Sequence, residues 1–250
     1  MTAWLNDSLL LIPAYNEEAA LGSLLDEVRG LFPALAVAVV DDGSEDRTPE
    51  IARAHGAVVL GLPCNLGVGG TMQAGFEYAI TRGYRQVIRC DGDGQHPPAE
   101  IPKLLAALQS SGADLVVGSR FLDERAYAGT ILRHAGIRGL AALLSAACRQ
   151  RITDPTSGFQ ALNRLAAFFL ARNCPADYPE PESIALLTRQ GYRVCETAVA
   201  FRARQGGQSS IGNRMALYYA LKVALALVLD RARAVDPRFH RERVKGDWGL

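Results

Sequence analysis

Gln86-Val87-Ile88-Arg89-Cys90-Asp91-Gly92-Asp93-Gly94-Gln95 decides how this chain is read. A mostly apolar run stops abruptly at a turn of alternating acids and glycines. Branched residues such as Val87 and Ile88 suit a pleated strand, and Asp-Gly pairs end one. In open α/β sheets ligands sit outside the carboxyl ends of the strands. Carboxylates placed directly after a strand are therefore candidates for binding as well as for turning the chain.

The same pattern recurs on either side. Strands are expected over residues 8–14, 35–40, 57–60, 84–90 and 113–118, and helices over residues 17–31, 48–55, 69–82 and 98–110. Strand runs that are apolar throughout, not alternating, imply a sheet covered on both faces and mostly parallel, hence an α/β fold with right-handed crossovers. Pro13-Ala14-Tyr15-Asn16-Glu17 follows the first strand and Asp41-Asp42-Gly43-Ser44 the second. Three polar clusters thus fall at strand ends. Further along, residues 131–149 have helical spacing and residues 154–163 are rich in turn formers. Residues 180–190 read as a helix, 193–201 as a strand, 204–213 as a Gly/Ser loop and 215–229 as an apolar helix.

Bulk properties narrow the function. The 250 residues, 49% hydrophobic and 21% charged, suffice for one substantial domain. A net charge of +1 excludes a nucleic-acid binder that works by bulk electrostatics. Cys64, Cys90, Cys148, Cys174 and Cys195 are scattered and odd in number, which fits a reducing cytoplasm better than a disulfide or zinc framework. Residues 1–7 lack the basic start and apolar stretch of a secretory signal.

Asp91, Asp93 and Gln95 offer three oxygen-bearing side chains on one turn, the donor set of a hard cation, Mg²⁺ or Mn²⁺. Such an ion would bridge two phosphates and stabilise a leaving diphosphate. The adjacent Asp41 and Asp42 repel each other, so a simple turn gives little reason to pair them. One can accept from a base N–H or ribose hydroxyl, while capping and turn polarity explain Asp41 equally well. Asn65-Leu66-Gly67-Val68-Gly69-Gly70 lacks a complete dinucleotide fingerprint and serves close approach or a tight turn. His96, ahead of Pro97-Pro98, is read as shaping its loop and stays outside the metal set.

Six segments occur in order: Ile12–Glu18, Val39–Ser44, Asn65–Gly67, Asp91–Pro97, Gly118-Ser119-Arg120 and Asp154-Pro155-Thr156-Ser157-Gly158-Phe159. Together they resemble the family 2 glycosyltransferases of the GT-A fold, most closely the dolichyl-phosphate mannose synthase and polyprenyl-phosphate glycosyltransferase branch. The resemblance implies a Rossmann-like, mixed but mostly parallel sheet flanked by helices. It implies a catalytic domain over residues 1–212, beyond which the residues themselves read as an apolar or amphipathic helix over 213–235 and a basic tail over 236–250. Pro13, Tyr15, Glu17, Val40, Asp42, Asn65, Asp91, Gly92 and Arg204 would hold the donor. Asp91, Asp93 and Gln95 would hold the metal. Asp93, Arg120, Arg133, Asp154 and Glu182 form the catalytic set, the arginines facing phosphate and Asp154 or Glu182 serving as base for a hydroxyl acceptor. The family lysine after the late R-x-x-G-x-S loop is Ser210 here, with Arg202 or Arg214 as substitutes.

The implied reaction is inverting transfer from a nucleotide-sugar donor to a lipid-phosphate or saccharide acceptor. Glu180-Pro181-Glu182 replaces the E-D pair of sugar-acceptor enzymes, which favours the polyprenyl phosphate. The alternatives are a saccharide hydroxyl in cell-envelope polysaccharide synthesis, or a nucleotide-sugar-binding subunit without turnover. The helix over 215–229, about 22 Å long, is short of the roughly 30 Å hydrocarbon core. With the basic residues of 231–245 it points to peripheral attachment at an anionic inner membrane face, or to packing on the domain, a second copy in a homodimer, or a membrane-protein partner.

Overall fold

Seven strands, β1 (Ser8–Ala14), β2 (Ala36–Asp41), β3 (Val58–Gly61), β4 (Gln86–Arg89), β5 (Leu115–Ser119), β6 (Gln160–Asn163) and β7 (Val194–Ala198), form one sheet in the order β3-β2-β1-β4-β6-β5-β7. This computed structural model describes residues 5–123, 131–202, 222 and 236–247, with the backbone alone for 131–135 and 247. The helices between the strands are α1 (Leu21–Leu31), α2 (Thr48–Ala54), α3 (Gly67–Thr81), α4 (Ile101–Ser111), α5 (Ile131–Cys148), α6 (Arg164–Asn173) and α7 (Pro179–Arg189). The pairs β1·β2, β2·β3, β1·β4 and β5·β7 are parallel, and β6 alone runs antiparallel, to both β4 and β5. The mixed, mostly parallel sheet expected from the sequence is what forms.

Successive strand residues face opposite sides of the sheet, so each strand feeds two cores. Leu9, Leu11, Val87, Val117 and Leu162 pack with residues of α3, α5, α6 and α7. Leu10, Ile12, Val39, Ile88 and Val116 pack with residues of α1 and α4 on the other side. Both sets are fully or almost fully buried, which explains why these strands read as continuous apolar runs. Burying one such Leu or Ile contributes about 1.5–3 kcal/mol.

Two elements depart from the sequence reading. The turn-rich segment expected over 154–163 ends as β6, and residues 164–173 form α6. Gln160-Ala161-Leu162-Asn163 has little strand propensity; its register against β4 and β5 makes it a strand. Asn163 then caps α6, its side-chain oxygen accepting from the Ala166 N–H at 3.0 Å. Helix α1 starts at Leu21, later than expected, because Asn16 adopts a left-handed φ of 54° and residues 16–20 turn.

The described part of the C-terminal tail folds back onto the domain. Residues 237–239 make a 3-10 turn and Arg241–Asp247 a short helix, with Val244 buried and Phe239 packed edge-on to Phe169. Arg241 Nε donates to Asp114 Oδ2 at 2.6 Å. This contact lies at the amino ends of β5 and β7, opposite the carboxyl ends. Most of the apolar stretch 215–229 lies outside the described residues; its Lys222 pairs with Asp177 at 2.7 Å. Among the described residues no helix is long and apolar enough to cross a membrane.

Candidate active site

The carboxyl ends of β1, β2 and β4 bring the expected donor residues to one edge. Asn16 donates its N–H to Ser44 Oγ at 3.0 Å and accepts from the Glu45 N–H at 2.9 Å. Glu17 donates its N–H to Thr48 Oγ1 at 2.8 Å. These bonds lace the loop after β1 to the loop after β2, with Tyr15 exposed above them. Pro13 is buried opposite Val40 in the β1·β2 register, and the Val40 side chain belongs to the core. A Cβ on Gly92 would touch the Pro13 carbonyl and Glu17, so Gly92 lies directly over the end of β1.

Asp42 is buried, and its two carboxylate oxygens accept from the N–H groups of Leu66 and Gly67 at 2.7 and 2.9 Å. Asn65 Oδ1 also accepts from the Gly67 N–H. Asp42 therefore caps α3 from a neighbouring strand, where a carboxylate meets unpaired helix N–H groups. The same contact fixes the glycine-rich loop beside the second strand.

The acidic turn is held from below and behind. Asp91 donates its N–H to His96 Nδ1 at 3.0 Å, and the other ring nitrogen lies 3.8 Å from Asp91 Oδ2. The His96 ring is stacked on Phe159 at 4.9 Å and meets Phe201 edge-on. Burial lowers its pKa, against the opposing pull of Asp91 and Asp93. It is a buttress of the turn, the role its place before Pro97-Pro98 suggests. Asp93 Oδ1 accepts from the Gln95 N–H at 3.0 Å, and the Gln95 carbonyl accepts from the Arg202 N–H. Behind Asp91 stands Arg89, buried, its Nη2 donating to Asp91 Oδ1 at 3.4 Å and to Glu180 Oε1 at 2.5 Å. Burial alone would disfavour its charge; Glu180 and Asp91 outweigh that and hold its pKa above the ordinary value. A Cβ at Gly158 would come within 2.7 Å of Asp91 Oδ2, so the 154–159 segment lies against this carboxylate and a side chain at 158 would displace it.

Asp91, Asp93 and Gln95 supply oxygen donors only. Among the described residues no group of three or more His, Cys, Asp or Glu side chains is placed to hold a metal by itself. Two carboxylates with an amide fit a hard ion that completes its shell with phosphate oxygens and water.

Arg120 and Asp154 form a closed unit at the end of β5. Arg120 Nε and Nη2 donate to the two Asp154 oxygens at 2.7 Å each, and its backbone N–H reaches Asp154 Oδ2 at 3.1 Å. Nη2 also donates to Thr156 Oγ1, and the guanidinium lies 5.0 Å from the Phe201 ring centroid. Beneath them Glu196 accepts from the N–H groups of Thr153 and Asp154, at 2.8 Å each, and from Thr153 Oγ1. Burial raises the Glu196 pKa, with Asp154 adding to it, against those hydrogen bonds.

Glu182 lies on the first turn of α7, half-buried, two residues from Glu180. Arg133 is on α5, its side chain outside the described residues. Arg204, Ser210 and Arg214 are also outside them. The Arg202 guanidinium grips Glu27 of α1 at 2.6 and 2.9 Å. Sequence reading passed over Arg89, Gly158 and Glu196 as site residues. Arg89 had a signal: a charged residue inside an apolar strand run is rare without a buried partner.

Comparison with known proteins agrees with this arrangement. The model of glycosyl transferase family 2 matches residues 10–168. A polyprenol monophosphomannose synthase of Mycolicibacterium smegmatis is 30% identical, over 91% of each chain. An undecaprenyl-phosphate mannosyltransferase of Micrococcus luteus is 32% identical over 81% of this chain and 86% of that one. Among solved structures, a glucosyl-3-phosphoglycerate synthase from Mycobacterium tuberculosis, in complex with Mn²⁺, UDP and glucosyl-3-phosphoglycerate, superposes with a TM-score of 0.69. It is 24% identical, covering 90% of this chain and 79% of that one, and the shared feature is the fold. Sheet order, strand-end acids and family match converge: the chain has the GT-A fold, belongs to glycosyl transferase family 2 and is a glycosyltransferase.

Proposed function

We propose that this enzyme transfers a hexose from a nucleotide-sugar donor to a polyprenyl phosphate, with inversion, using Mg²⁺ or Mn²⁺. The observation that carries the choice of acceptor is the Arg120–Asp154 pair. A hydroxyl acceptor needs a carboxylate to take its proton. Of the two candidate bases, Asp154 and Glu182, Asp154 already accepts from a buried guanidinium with both oxygens. A phosphate acceptor is already anionic and makes no such demand. The names of the two relatives support the same acceptor.

In this reading the loops after β1 and β2 seat the nucleoside, through Pro13, Tyr15, Glu17 and Asp42, with Asn65 and Gly92 at the edge. Asp91, Asp93 and Gln95 would hold the cation, which when bound would supply charge neutralisation for a departing diphosphate. Arg133 and Arg204 serve the phosphates, where planar guanidinium groups bind in pairs of hydrogen bonds, and Arg120, whose Nε and Nη2 are committed to Asp154, contributes charge. Catalysis is then mostly positioning and charge neutralisation. Leu66, Val68 and Leu122 expose apolar side chains at the same carboxyl edge, which supports approach to a lipid at the cytoplasmic membrane face.

Purified full chain is incubated with Mn²⁺, undecaprenyl or dolichyl phosphate and a panel of UDP- and GDP-hexoses. A glycolipid detected by mass spectrometry, lost with EDTA and with Asp93→Ala, is the expected result. Its anomeric configuration by NMR tests inversion. Transfer only to a free saccharide or to 3-phosphoglycerate would overturn the reading.

A further inference from the structure

Glu196 sits on β7, at the edge of the sheet, where a carboxylate would ordinarily point to water. It is instead half-buried and turned onto residues 153 and 154. Oε1 accepts from the Asp154 N–H at 2.8 Å and Oε2 from Thr153 Oγ1 at 2.8 Å, and the two oxygens share the Thr153 N–H at 2.9 and 2.8 Å. An ionised carboxylate only accepts, so Thr153 Oγ1 donates to it. The Ser119 hydroxyl, 2.7 Å away, then donates to Thr153 Oγ1, and Ser119 Oγ accepts from the Phe121 N–H at 3.1 Å. The hydrogen bonds thus run in one direction, from the loop after β5 through two hydroxyls into one carboxylate. Both members of the Arg120–Asp154 pair stand on backbone that leads to Glu196, Arg120 between Ser119 and Phe121 and Asp154 through its own N–H.

We propose that Glu196 is a positioning residue for the acceptor phosphate: it touches no substrate and fixes where Arg120 holds its charge. The inference rests on the role proposed above for Arg120 in transfer to a polyprenyl phosphate. The side of the site follows from the strand order. Neighbouring strands lie about 4.8 Å apart, so the end of β5, three places from β1, is roughly 14 Å from it, beyond β4 and its acidic turn. A phosphate met by Arg120 is therefore on the far side of that turn from the loops that seat the nucleoside, where an acceptor enters. Without the Glu196 carboxylate, two backbone N–H groups and the hydroxyl chain lose their common anchor, and the ground under the pair shifts. A misplacement of about 1 Å at a reacting centre can cost about 100-fold in rate.

The test measures initial rates on the full chain with Mn²⁺, varying in turn undecaprenyl phosphate and the UDP- or GDP-hexose that the parent turns over. All variants are assayed below their melting temperatures. Glu196→Ala is expected to lower kcat/KM for undecaprenyl phosphate about 10–100-fold while KM for the nucleotide sugar stays within about threefold. Glu196→Gln, whose amide oxygen still accepts from both backbone N–H groups, is expected to recover to within about fivefold of the parent. Arg120→Gln alone is expected to lower the same kcat/KM, and adding Glu196→Ala to it should change that value by no more than about threefold, since residues that act through one another do not add. Should Glu196→Ala fail to fold, Thr153→Val removes the hydroxyl link and leaves the backbone bonds; it is expected to lower kcat/KM for the lipid phosphate about threefold or more, with the nucleotide-sugar KM again unmoved. The inference is overturned if folded Glu196→Ala keeps the parental kcat/KM, if donor and acceptor parameters fall together, if Glu196→Gln is as impaired as Glu196→Ala, or if the two losses add in the double variant. Arg120→Gln with parental kinetics, or a parent that glycosylates no lipid phosphate, would instead remove the reading on which the inference stands.

Discussion

Arg120 and Asp154 meet through two hydrogen bonds of 2.7 Å, one from each of two guanidinium nitrogens, with both side chains out of solvent. A buried pair of this kind contributes little relative to an apolar replacement, but removing one partner strands the other charge. Asp154→Ala is therefore expected to lose about 3–5 kcal/mol of stability, read from urea unfolding monitored by circular dichroism. Asp154 acting only as a base would give an inactive variant with the parental unfolding curve.

Two glycines in helices should respond to alanine with opposite signs. A Cβ on Gly69, in the first turn of α3, would fall 2.1 Å from the Pro175 carbonyl oxygen and 2.5 Å from that of Ala176. Backbone cannot yield as a side chain can, so Gly69→Ala should cost about 1–3 kcal/mol despite the better helix propensity. Gly136 in α5 has open space around its Cβ position, and Gly136→Ala should gain up to about 1 kcal/mol. Thermal unfolding of the two variants, shifted in opposite directions, is the check.

Glu196 gives the fold a pH signature. Burial raises its pKa above the ordinary 4.5, so just above that value the folded chain binds more protons than the unfolded one. Stability from this group is present below the ordinary glutamate range and falls as pH rises through the folded value. Glu196→Gln has no such proton to lose. The difference in melting temperature between parent and variant should shift towards the variant as pH rises from about 4 to about 7, a window set by the ordinary glutamate value. A difference constant with pH would refute it.

Thiol chemistry offers a further check on the donor side. Cys64 is exposed, next to Asn65 at the proposed donor edge, whereas Cys90 and Cys148 are buried. Burial pushes the Cys90 thiol well up and the Cys174 thiol to about 12. Cys64 should thus be the first of the five to react with maleimide in the native chain, and UDP or GDP with Mn²⁺ should slow it. Peptide mapping by mass spectrometry reads the order.

Much of this was legible in the sequence where local chemistry acts alone. The parallel strands announced themselves because each is covered on both faces, and the acids at their ends stood out against apolar runs. Strand β6 did not, since Gln160-Ala161-Leu162-Asn163 becomes a strand only through neighbours 70 or more residues before it and others 45 or so before it, as its pairing with Gln86–Arg89 and Leu115–Val117 records. The site divides the same way. Asp91, Asp93 and Gln95 are close in sequence and were found together; Arg89 and Glu180, separated by 91 positions, meet only in the fold. Asp154 was visible as an acid in a turn, but its occupation by Arg120 was not, because spacing carries no information on pairing across the sheet.

Asp114 lies buried at the amino end of β5, and the cation that answers it, Arg241, follows 127 positions later. At synthesis rates of about 5–20 residues per second, that interval is roughly 6–25 s. Strands β1 to β4 precede Asp114 in the chain and can already pair with one another when the interval begins. Strand β5 must wait for β6 and β7 to arrive on either side, and Asp114 waits longer still. The edge of the sheet that carries Arg120 is thus completed last, so the nascent chain has the loops after β1, β2 and β4 in place well before the Arg120–Asp154 pair.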